Sequence, residues 1–239
     1  MIAVRWTLSL IFIIQMYVAM AVIAVVFAPW ALFSRDGAFA ACKAYCRWVF
    51  FTARILCGLR CEVRGHPPLG ESLIAAKHQS FLDIMMIFNA VPRGKFIMKR
   101  ELIWAPFLGV YAKRIGCVFV DRGKRGAAIA RMKEDVARSA ADPGQLIIYP
   151  QGTRVAPGVS RPYKVGSGLL YEQLGQSCAP VATNVGHFWP RHGILRKPGL
   201  AVVEFLPPIA PGLSVPEFMK TLETSVEAAS DRLLAEAQA

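Results

Sequence analysis

The chain predicts an α/β domain, built on a mixed, largely parallel sheet flanked by helices and carried by an N-terminal hydrophobic helical membrane anchor. Three observations predict this class. Short apolar runs alternate with helix-like stretches from Cys61 onward, and no charged residue occurs between Trp6 and Ser34. The net charge is +12, from 28 Lys and Arg against 16 Asp and Glu.

The first element is the charge-free run, which is long enough to form a membrane-spanning helix. It is too long for the apolar region of a secretory signal, and no small-residue cleavage site follows it. A buried core helix is the alternative, and length alone leaves open whether the segment crosses the bilayer or dips into it. Ala38–Leu59 reads as a second, amphipathic helix. Lys43, Arg47 and Arg54 fall close to one face, and Trp48, Phe50, Phe51, Ile55 and Leu56 surround the rest. Such a helix suits a bilayer surface, with cations among the phosphates and aromatics at the acyl boundary. Basic residues are denser after the apolar run than before it, where only Arg5 stands. This bias places the body on the cytoplasmic face. Residues 1–60 are therefore read as anchoring helices and residues 61–239 as the α/β domain.

Within that domain, strands are expected at Leu73–Ala76, Phe96–Met98, Cys117–Val120, Leu146–Tyr149, Ala179–Thr183 and Leu200–Phe205. Helices are expected at Phe81–Asn89, Glu101–Ile115, Arg125–Ala140 and Gly166–Gly175. Alternation at this spacing argues for an α/β layer. Pro216–Ala239 closes the chain as an amphipathic helix, with Leu222, Val226 and Leu233 on one side and carboxylates on another.

Mean hydropathy is high, +0.39, and its excess lies at the start of the chain. The 6 cysteines sit in or beside apolar segments and read as small buried hydrophobes, reduced thiols rather than a disulfide framework. No histidine or carboxylate pattern accompanies them, so no metal is expected. After Val215 the tail has five carboxylates against two cations, a balance of −3, which leaves +15 on the remainder. A basic body on a greasy anchor suits anionic partners: membrane lipid headgroups or a phosphorylated substrate. No nucleic-acid recognition motif accompanies the charge, so nucleic acid is not an expected partner.

The chemistry gathers around "AKHQSFLD", residues 76–83. Ser80 and Asp83 match the S-x-x-D capping pattern, which by itself explains Asp83 as a helix-start carboxylate. The same turn can bring Asp83 back to the imidazole of His78. Two further stretches, "GCVFVDRGKR" and "IIYPQGTRV", place Arg122 and Arg154 just past strand C-termini. That is the edge where open α/β sheets bind ligands, and guanidinium forks suit phosphate oxygens. Either arginine alone is equally a solvated surface charge.

The order H-x-x-x-x-D, then F-V-D-R, then P-x-G-T-R, then a final apolar P-V stretch, "APVATNVG", resembles the glycerolipid acyltransferases. Within these, it is most similar to the 1-acyl-sn-glycerol-3-phosphate (lysophosphatidic acid) acyltransferases. The likeness runs from about Leu73 to Asn184, and the N-terminal hydrophobic pair matches the anchoring arrangement of some members. It implies transfer of a fatty acyl group from acyl-CoA or acyl carrier protein to the sn-2 hydroxyl of lysophosphatidic acid, giving phosphatidic acid. His78 and Asp83 are then the catalytic pair: the imidazole takes the hydroxyl proton, and the carboxylate orients the ring. Lys99, Arg122 and Arg154 would hold the acceptor phosphate, with Gln151, Gly152 and Thr153 completing the third motif. That motif usually carries glutamate where this chain has Gln151, so proton transfer there is not expected, while hydrogen bonding survives. The resemblance implies no cofactor beyond the acyl donor. An acyltransferase for another lysolipid, such as a lyso-ornithine lipid, a thioesterase, and a non-catalytic lipid-binding protein are the competing readings.

Overall fold

A computed structural model of the chain describes residues 2–121, 134, 136 and 143–239. Two long helices come first, α1 (Ile2–Phe33) and α2 (Arg35–Cys57). Ser34 breaks them apart in an extended conformation and caps α2 by accepting from the Asp36 amide at 3.1 Å. The helices cross closely where Gly37 meets the backbone of Trp30, and a Cβ there would come within 2.7 Å of the Trp30 carbonyl carbon. α2 stops at Gly58, whose left-handed conformation is one that glycine adopts without steric cost.

The strands are β1 (Leu59–Gly65), β2 (Ser72–Ala76), β3 (Gly94–Lys99), β4 (Val118–Val120), β5 (Gln145–Ile148), β6 (Cys178–Thr183) and β7 (Gly199–Phe205). Among the described residues they form one sheet in the order β1-β7-β6-β2-β5-β3-β4. All neighbours pair in parallel except β6 and β7, so the sheet is mixed and largely parallel, as expected. β1 was not foreseen. Its sequence LRCEVRG alternates apolar and charged residues, the pattern of a half-covered edge strand, and Arg64 pairs with Glu62 at 2.6 Å and Glu236 at 2.7 Å. It begins at Leu59, inside the segment read from sequence as anchor.

The helices are α3 (Leu82–Ala90), α4 (Leu108–Arg114), α5 (Gly166–Leu174), the short α6 (Val185–Phe188) and α7 (Val215–Gln238). The single helix expected over Glu101–Ile115 is instead a 3₁₀ turn, Arg100–Trp104, followed by α4. Pro106 explains the break, because proline lacks an N–H and disfavours a helical residue before it. The helix expected over Arg125–Ala140 lies almost wholly outside the described residues. α7 starts with a capping box in which Ser214 and Glu217 satisfy each other's exposed donors.

Side chains on β2 and β5 alternate between two cores. Ile74, Ala76 and Ile147 face α1, α2 and α3, whereas Leu73, Ala75, Leu146 and Ile148 face α5 and α7. The helix after β2 and the helix after β5 thus lie on opposite faces of adjacent strands. The C-terminal ends of these two strands are therefore the edge at which open α/β sheets place ligands.

α1 is long and apolar enough to cross a membrane. Yet it is docked on the domain at several points. Ser9 accepts from the Arg196 amide at 3.0 Å, Phe12 packs edge-on to Trp189 at 5.3 Å, and Tyr111 donates to the Ala24 carbonyl at 2.6 Å. Arg114 donates to the carbonyls of Ala31 and Leu32, each at 2.9 Å. The opposite stripe, Ile11, Ile14, Val18, Val22 and Val25, is exposed. α2 is likewise two-faced. Phe39, Cys46, Val49 and Ala53 enter the core, and Trp48, Phe51 and Ile55 remain outside. Lys43, expected among lipid phosphates, donates instead to the Val91 carbonyl at 2.8 Å. If the docking of α1 is part of the fold, Phe12→Ala lowers stability by about 3–5 kcal/mol. Val25→Ala, on the outer stripe, changes it by less than about 0.5 kcal/mol. Thermal unfolding in detergent micelles measures both, and equal effects would mean that α1 is not docked.

Candidate active site

β2 ends at Ala76, and the next two residues continue its alternation. Lys77 turns toward α7, and His78 turns toward α3. His78 Nδ1 lies 2.8 Å from Asp83 Oδ1. The other carboxylate oxygen, Oδ2, accepts from the amides of Gln79 and Ser80, each at 2.7 Å. Ser80 Oγ in turn accepts from the Leu82 amide at 3.2 Å. One carboxylate therefore does both jobs that the sequence set in competition: it finishes the start of α3 and fixes the imidazole. Asp83 is fully buried, while the His78 side chain keeps 13% of its surface open. As acceptor, the carboxylate places the ring proton on Nδ1 and leaves the Nε2 lone pair without a described partner.

Tyr149, at the end of β5, stacks on the imidazole with ring centres 4.0 Å apart and an angle of 22°. Burial, then the charge of Asp83, pushes its phenol well above the ordinary range, so it stays neutral. Nothing in the chain signals this contact beforehand, since Tyr149 reads as the last residue of an apolar strand.

The Pro150–Val155 turn follows β5 and is sewn to the histidine loop, because the Val155 amide donates to the His78 carbonyl at 2.8 Å. Gly152 takes φ +69°, and its own amide donates to the Tyr149 carbonyl at 2.9 Å. A Cβ at this position would also meet Lys164 Nζ at 2.7 Å. Glycine is thus favoured by the backbone conformation, and the end of the lysine side chain lies over it. The Lys164 amide donates to the Pro150 carbonyl at 3.0 Å, which brings this cation to the turn. Lys164 was missed because nothing in "RPYKVGSG" distinguishes it from any exposed lysine. Thr153 and Arg154 are half-buried, and the Arg154 guanidinium forms no ion pair with a described residue. Gln151 is buried, and its Nε2 donates to the Arg161 carbonyl at 3.2 Å.

Lys99 ends β3 at the same sheet edge and is half-exposed, with Nζ 2.9 Å from Glu101 Oε1. Arg122 lies outside the described residues. The structure thus brings His78, Asp83 and the Gln151–Arg154 turn together and sets Lys99 on the shared edge. Burial pushes the thiols of Cys42, Cys61, Cys117 and Cys178 up to about 12, which argues against a thiolate nucleophile.

Comparison with known proteins returns the same region. The family model described as Acyltransferase matches residues 60–184, 125 of the 239 residues. The 1-acyl-sn-glycerol-3-phosphate acyltransferase of Pseudomonas aeruginosa is 26% identical over 194 residues, covering 80% of this chain and 76% of that protein. The 1-acyl-sn-glycerol-3-phosphate acyltransferase alpha of Mus musculus is 30% identical over 186 residues, 75% of this chain and 65% of its own length. The crystal structure of the 1-acyl-sn-glycerophosphate acyltransferase PlsC from Thermotoga maritima superposes with a TM-score of 0.78 over 96% of this chain and 97% of that one. At 23% identity, that likeness establishes the fold.

The double duty of Asp83 predicts a double defect in Asp83→Asn. The amide loses an acceptor for the Gln79 and Ser80 N–H groups, costing about 1–3 kcal/mol of stability. It also releases the ring, so nitrogen-15 spectra of His78 show mixed tautomers in the variant and one in the parent. A single unchanged tautomer would show that Asp83 does not set the ring.

Proposed function

The chain belongs to the acyltransferase family, and on that premise we propose that it acylates the sn-2 hydroxyl of lysophosphatidic acid, forming phosphatidic acid for phospholipid synthesis. The observation that carries the reading is the His78–Asp83 contact at 2.8 Å, which leaves Nε2 without a described partner at the sheet edge that also carries Arg154 and Lys99. The names of the relatives support the acceptor.

A glycerol hydroxyl is a weak nucleophile near neutral pH and needs a base in hydrogen-bond reach. His78 Nε2 takes its proton as the oxygen attacks the thioester carbonyl. The tetrahedral intermediate then collapses, the C–S bond breaks, and the departing thiolate recovers the proton from the imidazolium. Asp83 stabilises that imidazolium without being protonated. The developing oxyanion needs donors not already engaged. The amides of Gln79, Ser80, Leu82 and Gly152 are committed elsewhere, whereas those of Thr153 and Arg154 bond to no described residue. We assign the oxyanion to this pair. Arg154, with Lys164 beside it and Lys99 on the edge, holds the acceptor phosphate and so aims the hydroxyl at His78.

The outer stripe of α1, the aromatic face of α2, and Trp104, which is 85% exposed, supply apolar surface for a bilayer. Arg47 and Arg54 on α2 stand ready for lipid phosphates. α1 docks along the domain, so the membrane meets the crevice from one side, and the charge bias puts that side on the cytoplasmic leaflet. Acyl-CoA or acyl carrier protein then approaches from solvent, where the +15 balance favours either anionic donor.

Purified protein given a labelled thioester and a panel of lysophosphatidic acid, lyso-ornithine lipid and water is expected to label the first. His78→Ala loses about a hundredfold or more in kcat, the usual contribution of a general base. Arg154→Ala chiefly raises KM for the phosphorylated acceptor. Transfer to lyso-ornithine lipid alone, or CoA release without an acceptor, would replace this reading with one of its rivals.

A further inference from the structure

Behind the crevice, on the sheet face opposite His78, lies a polar knot that the mechanism does not use. Lys77 is only 3% exposed, and its Nζ contacts Glu227 Oε2 of α7 at 2.5 Å. Glu227 Oε1 accepts from Tyr163 Oη at 2.8 Å and faces Gln151 Nε2 at 3.5 Å. Gln151 Oε1 is buried with no hydrogen-bond partner. Two side chains that can carry a carboxylate, at positions 151 and 227, therefore face each other, and Glu227 alone also holds the buried ammonium of Lys77. A single negative charge neutralises Lys77, and two would repel in a poorly solvated space.

In this chain the charge sits on α7, beyond residues 60–184 that match the family model. The third motif, which usually carries a glutamate, here has Gln151. We propose that Glu227 is a positioning residue that takes over the carboxylate usually placed at position 151, and so sets where the phosphate-binding turn lies. The route is direct. Glu227 holds Tyr163 and Gln151, Gln151 holds the Arg161 carbonyl, and the segment between Arg161 and Lys164 is thereby pressed on the Pro150 turn. Lys164 and Arg154 ride on those two strips of chain. Removing the carboxylate frees both strips and leaves Lys77, next to His78 in the chain, buried without a counter-ion. The inference rests on the proposed acyl transfer to a phosphorylated lysolipid.

Exchange of the charge between the two positions tests it. Glu227→Gln and Gln151→Glu each lower kcat/KM about tenfold or more, since small displacements of a binding group are costly. The loss falls on KM for lysophosphatidic acid and leaves KM for the thioester unchanged. The double variant Q151E/E227Q restores a single carboxylate to the facing pair and returns kcat/KM to within about threefold of the parent, a coupling that independent sites do not show. Loss of the bond from Nε2 to the Arg161 carbonyl accounts for the incomplete recovery. Thermal melting of all four proteins runs in parallel. A double variant no more active than either single one overturns the exchange. Recovery of melting temperature without recovery of KM overturns the positioning role, leaving a stabilising ion pair. Should the parent itself fail to acylate lysophosphatidic acid, the functional reading falls first, and this is seen before any variant is made.

Discussion

Everything in the crevice depends on one carboxylate with two obligations. Asp83 is buried where a charge is costly unless it is hydrogen-bonded, and its partners are the Gln79 and Ser80 amides and the His78 ring. The amides belong to the two residues that lead into α3, and without this acceptor they would be buried unsatisfied. The imidazole is the group that needs a fixed tautomer. Because helix and histidine share the acceptor, the ring cannot move without unsettling the first turn of α3. The imidazole proposed as the base is rigid for the same reason that the helix begins where it does.

That rigidity matters only because the sheet aims a second loop at the same place. β2 and β5 are parallel neighbours whose following helices cover opposite faces, so their ends open into a shared crevice. The Val155 amide closes the gap between the loops, and Tyr149 stacks on the imidazole from the second strand. On the reverse face, the pair Lys77–Glu227 joins the base of the histidine loop to α7. Strand alternation thus separates the chemistry from its support: odd and even positions after β2 lead to different sides of the sheet.

Anchoring and fold are one structure. α1 presents an exposed apolar stripe and a domain-facing stripe, and α2 buries one side in the core around Phe39 and Val49 while exposing Trp48, Phe51 and Ile55. A helix bound to the domain from Ser9 to Leu32 cannot tilt independently of it. The position of α1 on the domain is therefore set by packing, since it is held at Ser9, Phe12, Ala24 and Ala31.

Much of this was legible in the chain. The charge-free run announced α1, the apolar runs located six strands, and the spacing of His78 and Asp83 across a capping pattern announced their meeting. These are local facts, governed by helix and strand periods and by turn chemistry, and a sequence carries them directly. Other features were not legible. β1 hid among charges because an edge strand needs only one covered side, and Pro106 divided a helix that periodicity had joined. Tyr149, Lys164 and Glu227 gave no local signal, and Glu227 stands 150 positions from Lys77. A period of two tells which side of a sheet a residue takes, but not which helix covers that side or what that helix presents. That choice belongs to strand order and crossover, which bring distant residues together, and so the sequence alone determined most of the elements and the His78–Asp83 contact while the tertiary structure decided their neighbours.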